Sequence, residues 1–204
     1  VQTSRKVLSW YECQDVDQSG LLSMQESTDW QDLFCTRGKG LYLNCLYILA
    51  LEAAARVDHS QPYLQRAAHT RAKVNEFLWY RGDGDMRHHI AHTFSTESPE
   101  DQDSLGRKRY LPKKRLLTTE QYYLPYLGFR TVGEWFDSLG HLLALIARVP
   151  DEAQTASIFE MIDRCELAHF PMRALHPAVD RGDPDWRPYY GMLNIPHHYH
   201  NGGV

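Results

Sequence analysis

Two kinds of helical pattern alternate along this chain, and the alternation restricts the fold more than any other feature. Residues 41–57 carry apolar side chains nearly all round the helix (Leu41, Leu43, Leu46, Tyr47, Ile48, Leu49, Leu51), as in a helix buried on most sides. Residues 62–80 follow with one apolar stripe (Leu64, Ala67, Ala68, Val74, Leu78) between Gln65, Arg66, Arg71, Lys73 and Glu76, which predicts a helix with a wet outer face. Pro62 suits its first turn and Ser60 its cap. The pair then recurs. Residues 134–149 are mostly apolar through Trp135, Phe136, Leu139, Leu142, Leu143, Leu145 and Ile146, while residues 151–165 are amphipathic through Ala153, Ala156, Phe159 and Ile162. Residues 5–13 read as the end of another outer helix. Inner and outer helices joined by long loops predict an all-α fold, an (α/α)6 toroid or barrel of helical hairpins. Residues 1–204 are then part of a single domain, and because they supply only about half of the helices of a closed ring, an incomplete barrel is expected.

The remaining segments fix the class of molecule. With 43% hydrophobic and 24% charged residues in 204, the chain can bury a sizeable core. A formal charge of −4 and a pI near 6.3 argue against a nucleic-acid or anionic-membrane partner. The basic cluster Arg107, Lys108, Arg109, Lys113, Lys114, Arg115 is short and interrupted by Tyr110, Leu111 and Pro112, and reads as a solvated loop. There is no charge-free apolar run of about 18 residues and no apolar core behind Val1–Arg5, so a soluble, cytoplasmic protein is expected. Cys13, Cys35, Cys45 and Cys165 lack CxxC spacing and read as buried free thiols rather than a disulfide framework. Residues 81–85 read as a turn, 86–90 as a short strand, and 95–114 as a long polar loop.

An acidic loop precedes the first inner helix. Carboxylates Asp29 and Asp32 flank Trp30, which suits a glycosidase: one acid protonates a leaving oxygen and an aromatic face shapes a sugar site. The same residues also suit a helix start, with Asp29 as cap and Asp32 in the first turn. Farther upstream, Asp15, Asp17, Ser19, Gly20 and Glu26 match the spacing of a calcium loop. Asp-x-Asp-x-Ser-Gly makes an ordinary Asx-turn as well, and without a flanking helix pair no structural calcium, and no other metal or cofactor, is expected. At the other end, Pro196, His197, His198, Tyr199, His200 and Asn201 precede Gly202 and Gly203. They gather imidazole, phenol and amide groups on a turn that lets a polyhydroxylated ligand approach the backbone. A solvated histidine-rich tail, or metal capture by the imidazoles, is the alternative.

Taken in order, Glu26-Ser27-Thr28-Asp29-Trp30-Gln31-Asp32, Arg37-Gly38-Lys39-Gly40-Leu41-Tyr42-Leu43-Asn44, Trp135 to Ala144, Pro171-Met172, His176-Pro177, Asp185-Trp186-Arg187 and Tyr199-His200-Asn201-Gly202-Gly203 resemble the (α/α)6-barrel glycoside hydrolases. The chain is similar to the amylo-α-1,6-glucosidase (glycogen-debranching) type and to the alkaline and neutral invertases. That resemblance implies hydrolysis of an α-linked glucoside, such as an oligosaccharide, a glycogen-like chain or a sucrose-like disaccharide, by an inverting acid/base mechanism. It implies Asp29 as the general acid, with Asp32 standing where relatives often carry an acid too. Trp30, Asp32, Asn44, Tyr199, His200 and Asn201 are the implied substrate contacts. His141 departs from the Asn usual in the family, and core packing is expected of it. The family's base, a glutamate some way past the glycine pair, is expected beyond Val204. A non-catalytic carbohydrate-binding protein and a sugar epimerase on the same toroid are the competing readings.

Overall fold

A computed structural model describes residues 2–82, 119–128, 132–169, 171–181, 185–192 and 200–202. The basic cluster, residues 83–85 of the expected turn, the short strand at 86–90 and the polar loop at 95–114 lie outside them. Five longer helices carry the architecture: α1 (Gln2–Glu12), α2 (Leu41–Asp58), α3 (Gln61–Leu78), α4 (Ser138–Ile146) and α5 (Glu152–Arg164), with a single turn α6 (Pro188–Met192). The inner helix α2 packs against both α3 and α4, and buried residues of α2, α3, α4 and α5 join one core.

The expectation of an all-α fold is corrected by three small antiparallel sheets. About half of the described residues are helical, and the strands sit where aromatic pairs interrupt the helical pattern. Seven strands, β1 (Ser23–Met24), β2 (Gly38–Gly40), β3 (Trp79–Tyr80), β4 (Tyr122–Tyr123), β5 (Tyr126–Leu127), β6 (Phe136–Asp137) and β7 (Leu175–His176), pair as β1-β2-β5, β3-β4 and β6-β7. Thus the pattern read as helix to Tyr80 ends at Leu78, and the one read as helix from Glu134 begins only at Ser138. The reason is cross-strand packing of rings, which extended backbone allows and a helix does not. Trp79 meets Tyr123 edge-on at 4.7 Å and Tyr80 meets Tyr122 at 5.8 Å between centroids.

Helix α2 is also less enclosed than its composition suggests. Leu41, Asn44, Cys45, Ile48, Leu51 and Ala55 form one buried stripe at helical spacing, whereas Leu46 and Val57 are exposed. Leu139 and Ile146 are likewise exposed on α4. Ser60 does occupy the cap of α3, but its side chain makes no capping bond. Asp151 caps α5 properly, in a reciprocal box with Gln154 at 2.8 and 2.9 Å.

Polar side chains lock the hairpins together. Arg71 on α3 donates to the carbonyl of Ala147 at the end of α4 and to Glu52 on α2. Asn75 donates to the carbonyl of Val149 at 2.8 Å. These bonds satisfy carbonyls that a helix end leaves open. All four cysteines are free; Cys45 is buried, but Cys13 is exposed, against the expectation of uniformly buried thiols. Among the described residues no helix is long and apolar enough to cross a membrane.

His141 on α4 is wholly buried and welds three elements. Its Nε2 accepts the backbone N–H of Tyr123 at 3.0 Å, which places the proton on Nδ1, 2.7 Å from the carbonyl oxygen of Asp137. Its ring stacks on Phe136 at 3.8 Å. Burial pushes its pKa down to about 3, with the Asp137 carbonyl opposing. The neutral ring therefore contributes stability that is complete above its ordinary pKa and drains away as pH falls from about 6.5 toward 3. His141→Ala should cost on the order of 3 kcal/mol near neutrality, and the gap to the parent protein in urea unfolding should narrow at pH 4. A gap independent of pH would show that the imidazole is not held neutral.

Candidate functional site

Residues 27–36 form a compact loop tied at its ends. The N–H of Ser27 bonds the carbonyl of Thr36 at 2.9 Å, and the Ser27 hydroxyl donates to the carbonyl of Phe34 at 2.6 Å. Tyr189 on α6 donates to the carbonyl of Leu33. Beneath it lies a second apolar cluster of Phe34, Tyr126, Trp135, Leu175, Val179 and Tyr190, in which Phe34 packs on Trp135 and on Tyr190 with centroids 5.4 Å apart in each pair. The loop thus rests on a rigid aromatic floor.

No helix starts at Trp30; the loop turns instead around Asp29. Its Oδ1 accepts the N–H of Gln31 at 2.8 Å and the hydroxyl of the buried Thr36 at 3.0 Å, an Asx-type turn that spends one oxygen on structure. Oδ2 accepts neither bond. Burial raises the Asp29 pKa, the bonds from Gln31 and Thr36 pull it back, and the charge of Asp32 adds to the rise. Asp32 itself is exposed, with 62% of its side chain open, and lies 3.4 Å from Nδ1 of His200. Burial lowers the His200 pKa and Asp32 opposes it. The His200 ring meets Trp30 edge-on at 5.0 Å. Asp29, Trp30, Asp32 and His200, more than 160 residues apart in sequence at the extremes, therefore form one locus.

The two amides have other occupations. Asn201 pairs with the backbone of Val179, accepting at 2.6 Å and donating at 2.9 Å, which pins the turn that presents His200. Gly202 in that turn has φ +72, and a Cβ there would press on Ala178. Asn44 spends both amide hydrogens on the carbonyls of Leu22 and Gly40 and accepts from the N–H of Leu22. It braces the upstream loop against α2, and none of these bonds reaches Asp29 or Trp30. Tyr199 lies outside the described residues.

One residue absent from the expected set stands out. Asp137, at the start of α4, is buried; its Oδ2 lies 3.5 Å from the indole nitrogen of Trp30, and its Oδ1 has no partner. Burial pushes its pKa up to about 7; the N–H groups of Gly140 and Leu139 oppose the rise and the charge of Asp29 reinforces it. The signal in the sequence was an acid at a helix start between Phe136 and Ser138, hidden within an apolar helix pattern. Around it, both polar atoms of Gln31, the indole nitrogen of Trp135 and the hydroxyl of Ser138 are also buried without partners. Unmet polar groups are rare in a core and cost about 1–3 kcal/mol each, so their concentration beside Asp29 and Asp137 makes this locus the candidate site.

The calcium-like loop is engaged otherwise. Asp15 accepts the N–H of Gly20 at 2.9 Å, Asp17 pairs with Lys39, and Glu26 pairs with Arg37 at 2.6 Å. Among the described residues no group of three or more His, Cys, Asp and Glu side chains is placed to hold a metal ion.

The Asp137 carboxyl gives a test of this geometry. Its raised pKa means a contribution to stability that is complete below the unfolded value of about 3.9 and lost as pH rises to about 7. Asp137→Asn stays neutral throughout. Its melting temperature relative to the parent should climb by several degrees between pH 5 and pH 8, and a constant difference would show that the carboxyl ionises freely.

Residues 114–204 match the family model for alkaline and neutral invertase. The match covers somewhat less than half of the chain. It contains Asp137, His200 and Asn201 and stops short of Asp29, Trp30 and Asp32. No curated protein matches the chain. The family match supports a relationship to the glycoside hydrolases.

Proposed function

We propose that this chain belongs to an α-glucosidase of the invertase or debranching type, acting in the cytoplasm on an α-linked glucoside with inversion at the anomeric carbon. Asp29 is its general acid. The observation that carries this reading is the half-buried Asp29 carboxyl: one oxygen is fixed by Gln31 and Thr36, its pKa is raised by burial, and Trp30 stands beside it. A general acid must hold its proton near the working pH, and burial is the usual way to arrange that for a carboxyl. Asp32, exposed against His200, is assigned to substrate contact.

In the reaction the proton on Oδ2 of Asp29 passes to the glycosidic oxygen as its bond to the anomeric carbon breaks. The oxocarbenium character that develops is met by water from the opposite face. That water is activated by a second carboxylate about 6.5–9.5 Å from the first, as inversion requires. Trp30 offers an apolar ring to one face of the sugar, and the His200 turn closes the same locus. We assign the base to a glutamate beyond the glycine pair, on the strength of the resemblance alone.

The full-length protein tests this directly. Sucrose, maltose and isomaltose are to be assayed, with NMR detection of the first anomer released. Hydrolysis of at least one, with the β-anomer appearing first, is the expected result. Asp29→Asn should lower kcat by about three orders of magnitude or more with KM little changed, and Asp32→Asn should do much less. An Asp29→Asn protein that keeps most of its kcat would refute the assignment.

A further inference from the structure

Asp137 does more at the start of α4 than begin a helix. It stands at the cap position, where the N–H groups of Gly140 and Leu139 favour its ionised form, as at any helix start. A cap does not account for its other contact. Asp137 is 2% exposed, and its Oδ2 lies 3.5 Å from the indole nitrogen of Trp30, 107 positions earlier in the chain. Gly140 leaves room for this carboxyl: a Cβ there would collide with Oδ2 and press on Leu41.

Trp30 needs such a hold. Its ring is only half-buried and has two side-chain torsions to fix. The indole carries a single donor, and Asp137 accepts it. Across the ring, His200 meets the indole edge-on with centroids 5.0 Å apart and planes at 68°, while Asp32 lies 3.4 Å from the imidazole Nδ1. Of these two restraints only the hydrogen bond has a strict direction. An edge-on ring contact tolerates rotation, whereas an N–H must point at its acceptor. Without the carboxyl the N–H would turn toward water, and the plane of the ring would turn with it. The titratable groups around the contact are Asp29 in the loop, Cys45 on α2, and Asp32 and His200 across the ring.

We propose that Asp137 is a positioning residue of this site: its carboxyl, seated over Gly140, fixes the plane of the Trp30 indole by accepting its N–H. That a sugar lies against this plane rests on the function proposed above; that Asp137 sets the plane does not. Acting through Trp30, Asp137 governs how tightly the sugar is held and in which orientation, without touching it and without giving a proton to the glycosidic oxygen.

Two measurements decide the matter. In the isotope-labelled chain, the indole N–H signal of Trp30, identified by its loss in Trp30→Phe, should shift with a midpoint at about pH 7 as Asp137 ionises. In Asp137→Asn that midpoint should vanish, leaving the smaller responses to Asp29 and His200. In the full-length protein, Asp137→Ala should raise KM about tenfold, the loss of one charge-assisted hydrogen bond, with a smaller fall in kcat. Asp137→Asn keeps an acceptor oxygen and should recover most of that affinity. In a Trp30→Phe background, which has no N–H to hold, Asp137→Ala should change KM little. The proposal is overturned if the indole signal titrates identically in the parent and in Asp137→Asn, or if the effects of Asp137→Ala and Trp30→Phe on KM multiply. If the full-length protein hydrolyses no glucoside, the proposed function falls, and the indole titration still decides whether Asp137 holds the ring.

Discussion

The buried imidazole of His141 sets the frame within which everything else is placed. Two backbone groups from different segments, the N–H of Tyr123 and the carbonyl of Asp137, end on one ring, and Phe136 stacks against its face. Because the ring is neutral and fully enclosed, neither bond can be exchanged for water without exposing a backbone group in the core. The consequence reaches the site at one remove. Fixing the carbonyl of Asp137 fixes the start of α4, and that decides where the Asp137 carboxyl meets the indole of Trp30.

The site itself stands on separate supports. Its loop is closed by Ser27 and Thr36, floored by Phe34 and Trp135, and latched from α6 by Tyr189. The His200 turn is pinned by Asn201 on Val179. Such a division, in which rigid packing carries the frame and short loops carry the polar groups, lets a site keep unmet hydrogen bonds that a core could not tolerate.

The helical part of this architecture was readable because long amphipathic patterns report one face over many residues. α3 and α5 appeared within a residue or two of their expected bounds. The strands were not readable, since two-residue elements such as Trp79–Tyr80 or Phe136–Asp137 leave no period to detect and were absorbed into neighbouring helices. The same effect concealed Asp137. An acid in an apolar run looks like an accident until the backbone on its N-terminal side is seen to be extended. Asp29, Trp30, Asp32 and His200 could be picked out, because carboxylates beside an indole and an imidazole next to a Gly-Gly turn carry their chemistry locally. Asn44 and Asn201 show the limit of such reading: an amide in an apolar setting is equally the mark of a ligand contact and of a brace on the main chain, and only the partners of its two polar ends distinguish them.

The relation between Asp29 and Asp137 explains how two acids in one locus take different parts. Both are raised by burial, but Asp137 is the more enclosed and feels the charge of Asp29 as well. As pH falls, the proton therefore goes first to Asp137, whose neutral form is the one that leaves Asp29 least repelled and most open to ionise. Asp29 is held lower by the bonds from Gln31 and Thr36. Those bonds fall on a single oxygen, so the other can still be dried by whatever covers the loop. On the proposed reading, a sugar ring laid against Trp30 removes that water and lifts the Asp29 pKa further, which brings the proton to the acid when the glycosidic oxygen arrives. The deeper burial that gives Asp137 the first proton would then be what leaves Asp29 responsive to its substrate.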